Sequence, residues 1–259
     1  MNLRAAECSP RPLTRTAARA IEAYGGAERW LRADRIEAVV SVTGLAWWLK
    51  MRRPVPSTKL RIELHTPRAR LDPIDRTGLI GILDGKDARL EDHSGQVVAS
   101  RSEARKFFPG GRRIFYWDSL DLAYFAGHAM WNYFAFPRLL LRPEIKWEEI
   151  AFGVLEAHFP PDLPTHSAVQ RFHFDPKTGL LCRHDCTLDA VGPWAQVTQV
   201  VDHYRERDGI PYFGLRTVHF RRRDDSRIPW PVLIVGRVFD WRLCAETCKT
   251  PPPSRSRQA

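Results

Sequence analysis

The 259-residue sequence has no uninterrupted apolar run of the ~20 residues that a membrane-spanning helix requires. No apolar segment follows Met1 either. The opening MNLRAAECSPRPLTRTAAR is polar and studded with arginine, so we read no secretory signal and expect a cytoplasmic protein. Lysine is scarce: seven of the 40 basic residues are Lys, so the net charge of +10 is carried by arginine. Such a bias follows genome composition and does not imply a nucleic-acid partner, although a basic surface attracts phosphates or an anionic membrane. The five cysteines are odd in number and their spacing suggests no disulfide framework. The sequence lacks a phosphate-cradling glycine loop, a dinucleotide fingerprint and a G-x-S-x-G nucleophile elbow.

What is present is organised around residues 118–141, DSLDLAYFAGHAMWNYFAFPRLLL. Asp118 is a helix N-cap with Asp121 at N3, and Trp117 and Leu122 stand where a hydrophobic staple would. Pro137 ends the helix. Leu122, Phe125, Ala126, Ala129, Met130 and Tyr133 form one apolar face, yet Tyr124, Trp131 and Ala135 occupy the other side. A helix apolar almost all round is buried, and here the rest of the protein must wrap it.

Before that helix, AARAIEAYGG and AERWLRA read as two short helices separated at Gly25-Gly26. The apolar period then falls to two. Ile36, Ala38, Val40 and Val42 make a half-buried strand, and at Gly44 the parity shifts to Leu45, Trp47 and Leu49, as at a bulge in a continuing strand. Leu60, Ile62 and Leu64 mark the next strand, and hairpins are expected at Asp84-Gly85 and around 92–95. Residues 101–108 read as a short helix or an irregular strand. After the helix come IKWEEIAF, VLEAHF and the hairpin AVQRFHF-DPKTG-LLCRHDCTL. AQVTQVVDHYRE, IPYFGLRTVHFR and PVLIVGRVFDWRL follow as three further strands. Residues 1–13 and 244–259 read as disordered, leaving a single domain over 14–243.

Most connections are too short for crossover helices, so the strands pair antiparallel. About ten strands do not stay flat. The expected fold class is α+β and β-dominated: a strongly curved antiparallel sheet, an unclosed β-barrel, wrapping a central buried helix.

That pattern resembles the lipoprotein-carrier superfamily of bacteria, the LolA-like fold. The matching stretches are AIEAYGGAERW leading into RIEAVVSVTG, the mid-chain helix, and FHFDPKTGLLCRHD followed by DHYRERDGIPYFGLRTVHF. The resemblance spans residues 14–243 and is architectural. It implies a pocket for acyl chains or another lipophilic molecule. The periplasmic carriers bear a signal peptide and none is read here, so only lipophilic binding is taken over.

Three constellations are candidates for chemistry. Tyr124, His128 and Asn132 are four apart and form a polar-tipped stripe on the helix. That stripe suits a ligand's polar head, with Phe125, Trp131 and Trp47 around its tail; the bland alternative is that these groups hydrogen-bond buried backbone. Cys182, His184 and Cys186 fall on one strand face, a zinc-like donor set without a matching second cluster, so no metal is assigned and His184 is placed in the ligand site. Asp185, Asp202, His184, His203 and His219 lie on neighbouring strands, but nothing in their spacing selects an acid–base pair. Trp47-Trp48 before KMRRPVP sets an aromatic pair beside a basic loop, a membrane-interface pattern, against the simpler reading of a strand with one Trp in each layer.

The expectation is therefore non-enzymatic binding or carriage of a lipophilic ligand, without cofactor, between sheet and helix. The candidate ligand residues are Trp47, Tyr124, Phe125, His128, Trp131, Asn132 and His184. The alternatives are a hydrolase- or isomerase-type enzyme using His/Asp groups in the same cavity, and a membrane-surface or protein-interaction module.

Overall fold

Among the described residues thirteen of fifteen strands join one antiparallel sheet, and its order explains where the buried helix lies. The computed structural model describes residues 13–108 and 111–245; most of both segments expected to be disordered lies outside these residues. The N-terminal strands are β1 (Ala33–Thr43), β2 (Thr58–Glu63), β3 (Arg68–Asp72), β4 (Ile80–Asp84), β5 (Asp87–Glu91) and β6 (Val97–Arg101). After the long helix come β7 (Lys146–Ala151), β8 (Val154–His158), β9 (Val169–Phe174), β10 (Leu181–Thr187) and β11 (Gln196–Asp202). Then follow β12 (Arg205–Arg207), β13 (Ile210–Tyr212), β14 (Leu215–Phe220) and β15 (Ile234–Ala245). The main sheet runs β6-β5-β4-β3-β2-β1-β15-β14-β11-β10-β9-β8-β7, while β12 and β13 form a separate ribbon.

The first and last strands are thus neighbours at the sheet's centre. Each half is a meander leading to one edge, β6 or β7. Helix α4 is the connection between those two edges; the shorter helices are α1 (Arg15–Ala23), α2 (Ala27–Arg32) and α3 (Leu45–Leu49), with α4 spanning Ser119–Ala135. A flat sheet of this size would be about 60 Å wide, whereas a 17-residue helix is about 25 Å long. The sheet must therefore curl for one helix to reach both halves. It does so: the Trp131 indole donates to the carbonyls of Glu63 and Thr66 beside β2 and β3, while the Phe136 ring just past α4 stacks on Phe172 of β9. β6 and β7 do not pair, so the barrel is open.

Register follows the period-two pattern. Ile36 faces Ile62 and Ala38 faces Leu60, and on the next strand Leu60 faces Leu71 and Ile62 faces Ala69. All six are buried and form the concave apolar face. The start of α4 is a capping box: the Asp118 carboxylate accepts from Asp121 N at 2.8 Å, and the Asp121 carboxylate accepts from Asp118 N at 3.1 Å. The other local expectations at 84–85 and 175–179 are met by tight turns with Gly85 and Gly179 at positive φ.

Three expectations are corrected. Leu45–Leu49 is a helical turn, not a bulged strand; Gly44, at φ 125°, passes so close to β15 that a Cβ would stand 2.4 Å from Leu233 O. AQVTQVVDHYRE does not remain one strand: His203 takes a left-handed φ of 54°, and the chain leaves the sheet as the β12–β13 ribbon before returning at Leu215. The same departure divides IPYFGLRTVHFR into β13 and β14. β15 runs from Ile234 through Ala245.

Candidate functional site

The expected polar stripe does lie on one buried side of α4, but its polar atoms are taken up locally. His128 Nδ1 is 2.9 Å from Tyr124 O, a carbonyl that can only accept, so that nitrogen carries the proton. His128 Nε2 is then an acceptor, and at 3.2 Å it receives His166 Nδ1–H. His166 Nε2 in turn accepts from the Tyr133 hydroxyl at 2.8 Å. This fixes one directional chain, Tyr133 O–H to His166 to His128 to a helix carbonyl, with both rings neutral. Burial pulls His128 down to about 3 and His166 well below the ordinary imidazole value, which agrees with that assignment. Asn132 Nδ2 donates to His128 O and to Pro164 O, fastening the 164–166 loop to the helix.

A second chain begins on β10. His184 Nε2–H donates to Gln170 Oε1 at 2.6 Å, and its Nδ1 faces Arg216 Nη1 at 3.4 Å. Arg216 also donates to Gln199 Oε1 at 2.8 Å. Its guanidinium lies 3.9 Å from the centre of the Tyr133 ring and 5.0 Å from that of Phe213. Burial also holds His184 well below the usual imidazole value and lowers the Arg216 pKa.

Arg216 is 4% exposed, and no carboxylate lies within ion-pair distance of it among the described residues. Its Nε, aimed into the interior, finds no acceptor there either. With three neutral histidines around it, Arg216 is a lone buried cation. The two aromatic faces offset part of its desolvation cost but leave a net charge without a counter-ion.

Two small cavities flank this guanidinium. One, of about 30 Å³, lies between Met130, Tyr133 and Phe134 of α4 and the inner faces of β1, β14 and β15. The other, of about 20 Å³, lies beneath the β12–β13 ribbon beside Tyr24, Tyr204 and Trp241. Each has room for one or two water molecules. Tyr133, Phe134, Phe213 and Arg216 are walls of both.

None of the seven expected ligand residues lines either cavity. Tyr124, His128 and Asn132 belong to the helix–loop network; Phe125 packs on Trp117 and the two histidine rings. Trp131 is fully buried on the side facing β2 and β3, with Arg142 over its ring. Trp47 is half-buried, and His184 stands behind the cavity walls, against Arg216 and the Tyr133 ring. The proposed zinc-like set does not share a face, because a register shift between Leu181 and Arg183 turns Cys182 outward while His184 and Cys186 point in. His173 is the imidazole that meets Asp185, at 3.0 Å on the outer side.

The residues that sequence reasoning missed are Arg216, His166, Tyr133 as a polar group, and Gln199. For Arg216 a signal existed: it shares strand parity with Val218, which is buried, so the inner face of β14 carries a cation.

The fold is similar to several solved structures. A LolA superfamily protein from Nitrosomonas europaea aligns at 11% identity over 89% of this chain and 94% of its own, with a TM-score of 0.46. An outer membrane lipoprotein-sorting protein domain from Vibrio parahaemolyticus aligns at 12% identity over 91% and 95%, with a TM-score of 0.42. A DUF1329 family protein from Desulfovibrio piger aligns at 12% identity over 90% and 93%, with a TM-score of 0.39. These are likenesses of chain path at low identity, and the sequence itself matches no family model and no curated protein.

Proposed function

We propose that this protein binds and carries an amphiphile, with an apolar body and an anionic head, in the interior between α4 and the concave face of the sheet. The observation that carries the reading is Arg216, a buried cation without a counter-ion at the common wall of two apolar cavities. An interior that served only as a core would lower its free energy by replacing that charge with an apolar side chain. A carboxylate or phosphate head beside the guanidinium supplies the missing charge through a charge-assisted, bidentate pair. The ligand tail would run along Val40, Met130, Val218 and Val238.

In this conformation the cavities admit only water-sized groups, so loading requires a wall to move. Phe213 and the β12–β13 ribbon are that wall: the ribbon lies outside the main sheet, and Phe213 separates the two cavities. Carriage is favoured over catalysis because His128, His166 and His184, the histidines nearest the cavities, have both nitrogens engaged and lack a proton to exchange at the cavity surface.

The test is native mass spectrometry of the purified protein followed by denaturing extraction, and then thermal shift of delipidated protein with palmitate against hexadecanol. Palmitate is expected to raise Tm more than hexadecanol, and Arg216→Gln to erase the difference. A clean apo mass with no stabilisation by either compound refutes the reading.

A further inference from the structure

Eighteen large hydrophobic side chains are exposed among the described residues, and six of them gather at one end of the barrel, which makes a patch rather than scatter. Three segments build it. The α3 turn and the residue pair beyond it present Trp48, Leu49 and Met51; the segment before α4 presents Ile114 and Phe115; the chain entering β15 presents Trp230. Trp230 is 79% exposed and Met51 71%.

Hydrogen bonds show that the segments adjoin. Leu45 N and Ala46 N donate to the carbonyls of Val232 and Leu233, which brings the Trp230 turn against α3. Lys50 Nζ donates to the carbonyls of Arg113 and Ile114, and Trp117 N to Lys50 O, which joins α3 to the segment before α4. The patch is also basic. Residues 44–54 hold three cations and no carboxylate, and residues 104–117 hold four cations and no carboxylate. Arg52 and Arg113 pair with the buried Asp75 and Asp121, and Arg105, Lys106 and Arg112 pair with Asp189, Glu103 and Asp118. The seven cations of these two stretches exceed those five carboxylates, so the net charge of the patch is positive.

We propose that this end of the barrel docks on an anionic lipid bilayer, with Trp48 and Trp230 in the interface and Lys50, Arg53 and Arg112 against lipid phosphates. Indoles beside aliphatic side chains and interspersed Lys/Arg are the composition of a membrane-interface surface. The core of a protein–protein patch is instead depleted of charge. The location adds a second reason. Val42 and Ile234 line the larger cavity, and the chain passes within a few residues from each of them to Leu45 and Trp230. A bilayer against the patch therefore stands at the cavity's nearest rim. The proposal does not depend on what the interior holds.

The experiment is co-sedimentation of the full chain with vesicles of phosphatidylcholine and phosphatidylglycerol at 3:1, compared with phosphatidylcholine alone. Binding is expected to the anionic vesicles, to weaken in 0.5 M salt, and to fall about tenfold in the Trp48→Ala/Trp230→Ala variant. Both indoles are exposed, so the variant should keep the parent Tm and its response to palmitate. Absence of binding to anionic vesicles overturns the proposal, as does binding that the double variant leaves unchanged. Self-association abolished by the same variant, without vesicle binding, would overturn it in favour of a second copy of this chain.

Discussion

The guanidinium carbon of Arg216 sits 3.9 Å from the centre of the Tyr133 ring, and the hydroxyl of that same ring donates to His166. One tyrosine therefore joins the buried cation on β14 to the neutral histidine chain on α4. Arg216→Met keeps an unbranched stem over that ring and removes the charge. In delipidated protein it should raise urea-unfolding stability by about 1–2 kcal/mol, less whatever is lost by leaving the Gln199 oxygen without its donor. Arg216→Ala removes the stem as well and should lower stability by about 2 kcal/mol or more through the cavity it leaves. Equal losses in both variants would show that the charge carries no cost in the fold.

The histidines predict acid sensitivity. His128 is held near 3 and His166 and His184 well below 6.5, all by burial first. Each takes up a proton in the unfolded chain as pH falls through 6.5 and stays neutral in the fold. The unfolded state then binds more protons, so stability drops with falling pH, by up to about 4 kcal/mol per unit for three sites. The loss should begin near pH 6.5 and continue towards pH 3, the folded value of His128, and its upper part, from 6.5 to about 5, lies above the range in which carboxylates titrate. Unfolding midpoints measured across that window should move steeply, and His166→Gln should reduce the slope by about a third. A flat profile would contradict the burial of neutral imidazoles.

Gly127 shows how tightly α4 meets the sheet. A Cβ there would stand 2.6 Å from Leu83 Cβ on β4. Ala is the better helix former by about 1 kcal/mol, but this overlap lies between two backbones held by a sheet and a helix, and overpacking costs about 1–3 kcal/mol. Gly127→Ala is expected to lower the urea midpoint. Ala126→Gly, one residue away on the same helix, should also destabilise, so the pair distinguishes contact from propensity: only a close approach makes the added methyl harmful.

Local features of the fold were legible because they are written within a few residues. Asp118 and Asp121 announce a capping box, DPKTG a turn, and alternating Leu60, Ile62 and Leu64 a strand. The all-round apolar character of α4 foretold a sheet curled around it. The candidate site was not legible in the same way. Arg216, Tyr133, His166 and Gln199 stand on four elements, and they meet only through strand registers fixed by pairing across the whole sheet. The helix stripe of Tyr124, His128 and Asn132 was visible by spacing, but spacing does not reveal that their polar atoms turn back onto helix and loop carbonyls. At Gly44 the apolar alternation continued while the backbone turned helical, because Leu45, Trp47 and Leu49 suit either period over so short a run.

The strongest single dependence falls on Asp121, which is fully buried. One oxygen accepts from Arg101 Nη1 and Arg113 Nε, each at 2.6 Å, and the other accepts from Asp118 N. Arg101 closes edge strand β6, Arg113 belongs to the segment that presents Ile114 and Phe115, and Asp118 caps α4. A single carboxylate thus ties the sheet edge, the exposed patch and the helix start. Asp121→Ala leaves the Arg113 guanidinium, 13% exposed, without its anion, while Arg101, equally buried, keeps its pair with Asp118. The expected loss is about 3 kcal/mol, most of it from the stranded Arg113 cation rather than from the missing bonds. Asp121→Asn keeps the acceptor for Asp118 N and should fall between. Adding Arg113→Met to Asp121→Ala should then restore stability relative to the single variant, because the stranded charge is gone. If the second substitution lowers stability further, the ion cluster is not what holds this corner together, and the capping hydrogen bond must carry it.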